Sequence, residues 1–214
     1  MKRMCVMGAA VALSAGSCLA QSININFAPA GTEGPSSSYG GAGPAGYWNV
    51  INGATAENLR AIDGSLTNVP NFAQAPMVAI SQTLPGPTGD DALLLNSYIT
   101  LIDVMAHVNI TGLQNGDYNV IFYGLNSGNA STGFSIDPNF DFTSGAWTGQ
   151  LETGHTHVML PAVVTDGTLN FGMVGSIFGL GHFAGMQIVQ VPGPGAGVVL
   201  MAGGLLAARR RRRR

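Results

Sequence analysis

Short runs of β-branched and aromatic residues, each bounded by glycine, proline, asparagine or aspartate, constrain the fold of this chain more than any other feature. In ININF, Ile23, Ile25 and Phe27 alternate with Asn24 and Asn26, which is the period of a strand with one apolar face. No amphipathic helix of ten or more residues stands out, and residues 90–101 are expected to hold one helical turn. The pattern therefore favours an all-β domain.

The apolar runs predict about eight strands, at residues 23–27, 47–51, 77–81, 104–110, 118–124, 155–160, 168–174 and 183–191. Residues 112–116 are predicted to form the corner of a hairpin between two of these strands. The stretch 28–46 is rich in glycine, proline and serine, which is typical of a long surface loop. This spacing predicts an antiparallel β-sandwich or jelly roll over residues 21–190.

The first twenty residues have the layout of a secretory signal peptide. Lys2 and Arg3 precede a short apolar stretch, and small residues end at Ala20, so cleavage is expected before Gln21. The apolar stretch is too short for a permanent membrane span. Both cysteines of the chain lie inside this segment, so we expect the mature protein to contain no disulfide and no catalytic thiol.

The low overall net charge conceals a strongly acidic domain. Within residues 21–190, Arg60 is the single basic residue and stands against eleven Asp and Glu, for a formal charge of −10. Such a surface repels phosphate backbones, so nucleic acid is not an expected partner. Divalent cations and neutral polymers are the more natural partners.

Several segments occur in an order that resembles a known class of exported bacterial domain. They are YWN at 47–49, MVAIS, DALLLNSYI, GLQNGDYNVIFYG, DGTLNFGMVG and a closing FAGMQIVQV. Over residues 22–191 this order resembles jelly-roll domains of the galactose-binding-like type. The resemblance implies a β-sandwich that often binds carbohydrate, and it implies no catalytic residues.

The last 24 residues, VPGPGAGVVLMAGGLLAARRRRRR, resemble the C-terminal sorting signal of PEP-CTERM proteins. That signal consists of a short proline motif, an apolar helix and an arginine cluster, represented here by Val191, Pro192, Gly193, Pro194, Arg209 and Arg210, with further arginines to the end. Gly193 stands where the family has glutamate. The resemblance implies an exosortase-type processing enzyme as a partner.

The length and lack of charge of the run at 195–208 also bear on membrane insertion, without reference to the PEP-CTERM resemblance. As a helix it would be about 21 Å long, shorter than the hydrocarbon core of about 30 Å, so a transient insertion is expected rather than a permanent span. The arginines would then stay at the cytoplasmic face. The whole segment 191–214 is therefore predicted to be a sorting or anchoring label outside the fold.

Candidate carbohydrate-binding residues are the aromatic side chains in or beside the long loop and one tryptophan further on. Aromatic faces stack on sugar rings, so Tyr47, Trp48 and Trp147 are the candidates, with Tyr39 nearby. At least one of the two tryptophans is expected to belong to the core.

Two stretches are candidates for metal binding. In DPNFDFTSG, Asp137, Asn139 and Asp141 alternate as oxygen ligands of calcium would, but Phe142 and Thr148 occupy the positions where an EF-hand needs glycine and glutamate. A looser calcium site and a plain Asx-turn loop both remain open. No other cofactor is expected.

In ETGHTHVML, His155 and His157 are expected to share one face of a strand, with Glu152 upstream, which are ligands suited to zinc. His107 and His182 lie in apolar strands and are expected to be structural. No G-x-S-x-G elbow is present, and Asp90 and Asp91, taken as neighbours on a strand, would point to opposite faces.

These observations favour a non-enzymatic, exported protein of the cell surface or extracellular matrix that binds polysaccharide. The alternative is a secreted metal-dependent hydrolase that uses Glu152, His155 and His157.

Overall fold

The computed structural model describes residues 21–52, 55–67, 71–73, 79–82, 84–101, 105–126, 130–175 and 181–193. The predicted signal peptide, Pro194, the apolar run at 195–208 and the terminal arginines with Arg209 and Arg210 lie outside these residues. Among the residues described, no helix combines the length and apolar character that crossing a membrane requires.

Within the described ranges the chain forms strands and one short helix. They are β1 (Ile23–Phe27), β2 (Trp48–Ile51), β3 (Thr55–Ala56), β4 (Asn71–Ala73), β5 (Ala79–Ser81), α1 (Gly89–Leu95), β6 (Ser97–Leu101), β7 (Met105–Thr111), β8 (Gly116–Tyr123), β9 (Ser131–Ile136), β10 (Asn139–Ser144), β11 (His157–Val164), β12 (Thr168–Gly175), β13 (Gly181–Phe183) and β14 (Gly185–Gln190).

The strands form three sheets. A five-stranded sheet has the order β11-β8-β14-β1-β2, a six-stranded sheet has the order β10-β9-β12-β7-β4-β3, and β13-β6-β5 form a third. Every pairing of these strands is antiparallel except β1 with β2. The prediction of an all-β, mainly antiparallel fold is therefore confirmed.

The two large sheets pack face to face around one core. Ile23 and Ile25 of β1, with alternate residues of β8, β11 and β14, supply one side, and alternate residues of β7, β9 and β12 supply the other. Phe122 of β8 stacks on Phe134 of β9 with ring centroids 4.8 Å apart. This interdigitation of two inner faces defines a β-sandwich.

Two expectations about connectivity are corrected. β7 belongs to the six-stranded sheet and β8 to the five-stranded sheet, so residues 112–115 carry the chain from one sheet to the other and do not close a hairpin. The strand pattern also missed β9 and β10, which form a hairpin with each other.

The outer face of the five-stranded sheet is covered by the long loop and by α1. Leu94 and Leu95 of α1 pack with Trp48 and Tyr123 in a second apolar cluster on this side of the sheet. Asp90 in the first turn of α1 accepts hydrogen bonds from the backbone N and the Oγ of Ser36 at 2.9 and 2.7 Å. Residues 28–46 are therefore held against the sheet, although their composition is typical of an open loop.

A buried polar network joins this loop to the sheet. The Tyr123 hydroxyl accepts a hydrogen bond from the Ala42 N–H at 2.7 Å and donates one to Gln187 Oε1 at 2.5 Å. Gln187 Nε2 donates to Asn24 Oδ1 and to the Pro44 carbonyl at 2.9 and 3.0 Å. Glycine is required here, because a Cβ at residue 43 would lie 2.7 Å from Gln187 Oε1.

Candidate functional site

Trp48 is a core residue and not a surface platform for a sugar. Its side chain is 4% exposed and lies between the rings of Tyr39 and Tyr123, with centroids 6.0 and 6.2 Å away. Its indole N–H donates to the Tyr39 carbonyl at 3.0 Å. The expectation that one tryptophan belongs to the core is met by Trp48, and its candidacy as a ligand platform is corrected.

Tyr47 and Trp147 do not form a joint platform with Trp48. Tyr47 is 41% exposed, and the guanidinium of Arg60 lies 5.6 Å from the centroid of its ring. Trp147 is half-buried against the cluster beneath the loop, and a Cβ at Gly86 would lie 2.3 Å from its Cδ1. Each ring therefore has a local packing partner.

The calcium candidates lie in a hairpin and not in a loop that wraps around an ion. Asp137 is exposed at the turn between β9 and β10, while Asn139 and Asp141 belong to β10 and pair with Ile136 and Phe134. Asp141 Oδ1 accepts the Phe142 N–H at 2.8 Å. In the part of the chain that is described, no group of three or more His, Cys, Asp or Glu residues could hold a metal ion.

The expectation that His155 and His157 share one face of a strand is wrong. β11 begins at His157, whereas His155 lies in the preceding turn, where its backbone N–H donates to the Glu152 carbonyl at 3.1 Å. The Glu152 carboxylate accepts a hydrogen bond from Thr148 Oγ1 at 3.0 Å. His157 Nε2 lies 3.2 Å from Thr153 Oγ1, and burial lowers the pKa of His157. Each group has its own surroundings, and the three do not converge.

The two remaining histidines differ. His182 is structural, as expected: it is 6% exposed, its ring stacks on Tyr98 at 3.8 Å, and its Nδ1 lies 2.8 Å from the Leu125 carbonyl. Burial lowers the pKa of His182, and the hydrogen bond with Leu125 opposes that shift. His107 is instead exposed on β7, which corrects the expectation for that residue.

The outer face of the six-stranded sheet carries the most conspicuous exposed aromatic pair. Phe140 and Phe142 of β10 are 60% and 50% exposed. They pair with Ser135 and Gly133 of β9, which in turn pair with Gly172 and Val174 of β12. Phe134, Phe171 and Met173 enter the core, so their strand neighbours must point outward.

We call this surface the Phe face, defined by the outward residues of β7, β9, β10 and β12. Their described side chains are His107, Asn109, Thr111, Ser131, Gly133, Ser135, Phe140, Phe142, Ser144, Thr168, Asn170, Gly172 and Val174. None of these is Asp, Glu, Lys or Arg, although the domain as a whole is strongly acidic.

A shallow groove of about 170 Å³ runs along one part of the Phe face. It is lined by Ser131, Gly133, Phe140, Phe142, Val174 and Gly175. Gly133 is the floor of the groove, since a Cβ there would lie 2.8 Å from Phe140 Cζ and 2.7 Å from Val174 Cγ1. The Phe140 ring and the Val174 side chain therefore pack directly over the backbone of Gly133, while Phe140 and Phe142 remain exposed to solvent.

The Phe face was missed at the level of sequence although its signal is present. In NFDFTS the phenylalanines alternate at 140 and 142, as two residues on one face of a strand do. The same stretch also alternates Asn139 with Asp141, and that polar pattern favours a loop, either a loose calcium site or a plain Asx turn.

A second concavity lies at the end of the sandwich from which both chain ends leave. This cleft has a volume of about 650 Å³ and is lined by residues 21–22, 61–67 in part, Gly112 and Gln114. Gln21 N–H donates to Gln190 Oε1 at 2.6 Å, so the beginning of β1 and the end of β14 are adjacent there. Among the described residues that line this cleft, none is aromatic.

The fold and the site together define a β-sandwich protein in which the long loop and α1 cover part of one outer sheet face, and in which the described part of the chain leaves the Phe face exposed. No protein family and no curated protein matches the sequence. The structure is similar to that of the protein YxiM from Bacillus subtilis, with 13% identity, 79% of this chain and 40% of YxiM covered, and a TM-score of 0.47. It is also similar to an exo-beta-1,3-galactanase from Phanerochaete chrysosporium, with 11% identity, 66% and 30% coverage, and a TM-score of 0.32.

The chain spans less than half the length of either of these two proteins. At such identities and TM-scores, the likeness does not transfer an activity or a ligand.

Proposed function

We propose that this protein is a non-enzymatic, exported component of the cell surface or extracellular matrix that binds polysaccharide through the Phe face. The observation that carries the proposal is the pair of exposed phenylalanines, Phe140 and Phe142, above a floor of small residues. Large apolar side chains grouped on an exposed surface mark interaction sites more often than isolated ones do.

The chemistry of the Phe face suits a sugar. The π face of a phenyl ring carries partial negative charge and attracts the electropositive C–H groups on one side of a pyranose ring. Asn109, Asn170 and Ser135 supply both donors and acceptors for hydroxyl groups. A flat, open sheet face accommodates a polymer chain better than a closed pocket would.

Export and sorting belong to the same proposal and rest on the chain ends. Lys2, Arg3 and the apolar stretch up to Ala20 support secretion, and the Pro-Gly motif with its apolar run and arginines supports recognition by an exosortase-type enzyme. Transient membrane insertion of residues 195–208 precedes processing in this proposal.

The test is migration of the full mature protein through native gels that contain a soluble polysaccharide. In the double variant Phe140→Ala/Phe142→Ala, we expect affinity to fall about five- to 150-fold, from about 0.5–1.5 kcal/mol for each of the two stacked rings. The matched control is Met159→Ala/Val163→Ala, which removes two apolar side chains that are 55% and 70% exposed on β11 of the other sheet.

Circular dichroism checks that both double variants retain the fold. Equal retardation of the two double variants would contradict binding at the Phe face. Retardation of neither the wild type nor any variant by any polysaccharide would contradict the proposed function itself.

A further inference from the structure

We infer that the ligand of the Phe face is an uncharged glycan chain that lies across the strands, from Phe140 on β10 towards His107 and Asn109 on β7. This inference rests on the proposed function and adds the class of polysaccharide and its direction. It follows from the charge of the face and from the register of four strands.

The described Phe face carries no Asp, Glu, Lys or Arg side chain. The domain has eleven acidic residues, yet the described outward side chains of β7, β9, β10 and β12 include none of them. Arg60, the single basic residue of 21–190, lies on another part of the molecule beside Tyr47. The described side chains of the Phe face therefore offer an anionic polymer no lysine or arginine, and the surrounding acidic surface would repel it.

The register places the contacts in a row perpendicular to the strands. Phe140 pairs with Ser135, Ser135 with Gly172, and Gly172 with His107. Neighbouring strands are about 4.8 Å apart, so this row spans about 14 Å. Gly172 and Ser135 are small residues in the middle of this row, and the Phe140 ring leans from its end of the row towards Gly133 and Val174 on the neighbouring row.

The row ends at the imidazole of His107, and uncharged amide side chains lie beside that end. Asn109 of β7 pairs directly with Asn170 of β12. This pair lies two residues along the strands from the pair Gly172 and His107, on the same face of the sheet. Amide side chains donate and accept together, which matches a hydroxyl and gives no preference for a carboxylate or sulfate. The row thus begins at the phenyl ring of Phe140 and ends at His107, next to two neutral amides.

The test compares neutral polysaccharides with their charged derivatives on the full mature protein. The probes are dextran, laminarin and galactan, each with its carboxymethylated form, in affinity gels at low and high salt. We expect retardation by at least one neutral polymer, weaker retardation by its carboxymethylated form, and little change of the neutral interaction with salt, because no ion pair is formed.

The direction of the chain is tested with amide variants. Asn109→Ala and Asn170→Ala are each expected to weaken binding about three- to tenfold, the equivalent of one lost hydrogen bond. The matched control is Asn119→Ala, which changes a half-buried asparagine on the outward side of β8 in the other sheet. Equal effects of all three variants would overturn the proposed direction.

The outcomes separate this inference from the proposed function. Preferential binding of a carboxymethylated polymer that is still lost in Phe140→Ala/Phe142→Ala would overturn the uncharged class and leave the Phe face as the site. A dimer in size-exclusion chromatography that the same double variant dissociates, with no glycan bound, would assign the face to a second copy of the chain and overturn both.

Discussion

At the scale of single residues, the burial of His182 makes the stability of the folded protein depend on pH. Its ring is stacked on Tyr98 and is held in the neutral form, because burial lowers its pKa. In the unfolded chain a histidine titrates near about 6.5. Below that pH the unfolded state therefore takes up a proton that the folded state resists, and above it the two states are equally neutral.

We predict that the free energy of unfolding is constant with respect to this group above about pH 6.5 and falls as the pH drops below it. The slope from one group cannot exceed about 1.4 kcal/mol per pH unit. In His182→Gln the slope should become shallower, though not zero, because burial also lowers the pKa of His157. Urea unfolding at pH 8 and at pH 5 measures this.

Unfolding at pH 8 is the internal control, since it isolates the packing lost with the ring from the proton linkage. If His182→Gln changed the free energy of unfolding, relative to wild type, by the same amount at pH 8 and at pH 5, His182 would not resist protonation in the folded protein.

Aromatic residues of this chain differ in solvent exposure according to which elements lie over them. Trp48 is 4% exposed because the loop and Tyr39 lie over it, whereas Phe140 is 60% exposed because no described element lies over the six-stranded sheet. The residue type alone does not determine whether an aromatic ring is buried or exposed. Contacts from positions distant in sequence decide which ring is core and which is surface.

At the scale of elements, the loop 28–46 acts as a cover that completes the five-stranded sheet. Its attachment depends on the Tyr123 hydroxyl, which bonds Ala42 and Gln187 at once. Burial raises the pKa of Tyr123 well above its usual value, so this hydroxyl stays protonated and continues to donate. The loop is therefore part of the stable fold.

We predict that Tyr123→Phe destabilises the protein by about 1–3 kcal/mol, because Gln187 Oε1 loses its donor in the buried interior and the part-buried Ala42 N–H loses its acceptor. The comparison is Tyr118→Phe, which removes a single hydrogen bond to the Gln114 carbonyl. Urea unfolding gives the free energies, and hydrogen exchange at Ala42 reports on the loop. A loss no greater than that of Tyr118→Phe would contradict the role of the loop as a cover.

The alternation of ININF predicts β1 and its inner face, and Ile23, Ile25 and Phe27 do enter the core. The same alternation assigns Asn24 and Asn26 to solvent, yet both are fully buried. Their cover comes from α1 and from residues of the long loop, which have no period of their own. A local pattern therefore predicts which residues share a face, but not what packs upon the other face.

The β9–β10 hairpin was missed for a related reason. Its strands contain glycine, serine, asparagine and aspartate, residues that favour turns in isolation. Pairing with β12 and the stacking of Phe134 on Phe122 stabilise β9 in spite of that composition. The candidate site lies in this hairpin, so the resemblance of the sequence to galactose-binding-like domains predicts carbohydrate binding but does not point to the Phe face.

At the scale of the whole molecule, the two chain ends and the two concavities have a definite relation. Ile23 pairs with Ile188, so the chain enters and leaves the sandwich at one end. The cleft of about 650 Å³ lies at that end, beside Gln21. A protein held by its C-terminal segment would direct this cleft towards the membrane, whereas the Phe face, on the side of the sandwich, would stay accessible to polymer outside the cell.

The same geometry bears on processing at both ends. Cleavage after Ala20 would place the new N-terminus at Gln21, whose backbone nitrogen donates to Gln190 Oε1 at the surface of the domain. Beyond Gln190 the described chain is bound by the Val191 N–H to the Asp117 carbonyl at 2.8 Å, and Pro192 and Gly193 are exposed. Both cuts would fall outside the sandwich and leave its strands intact.

We therefore predict that intact-mass measurement of the protein from the cell surface and medium gives a chain without residues 1–20 and without the terminal arginines. In a variant with Arg209–Arg214 replaced by glycine, removal of residues 1–20 should continue while C-terminal processing fails, because no positive charge holds the apolar run in the membrane. A mature wild-type protein that retains Arg209–Arg214 would contradict sorting by the tail. It would leave an exported acidic domain whose binding face can be tested independently of where the protein is anchored.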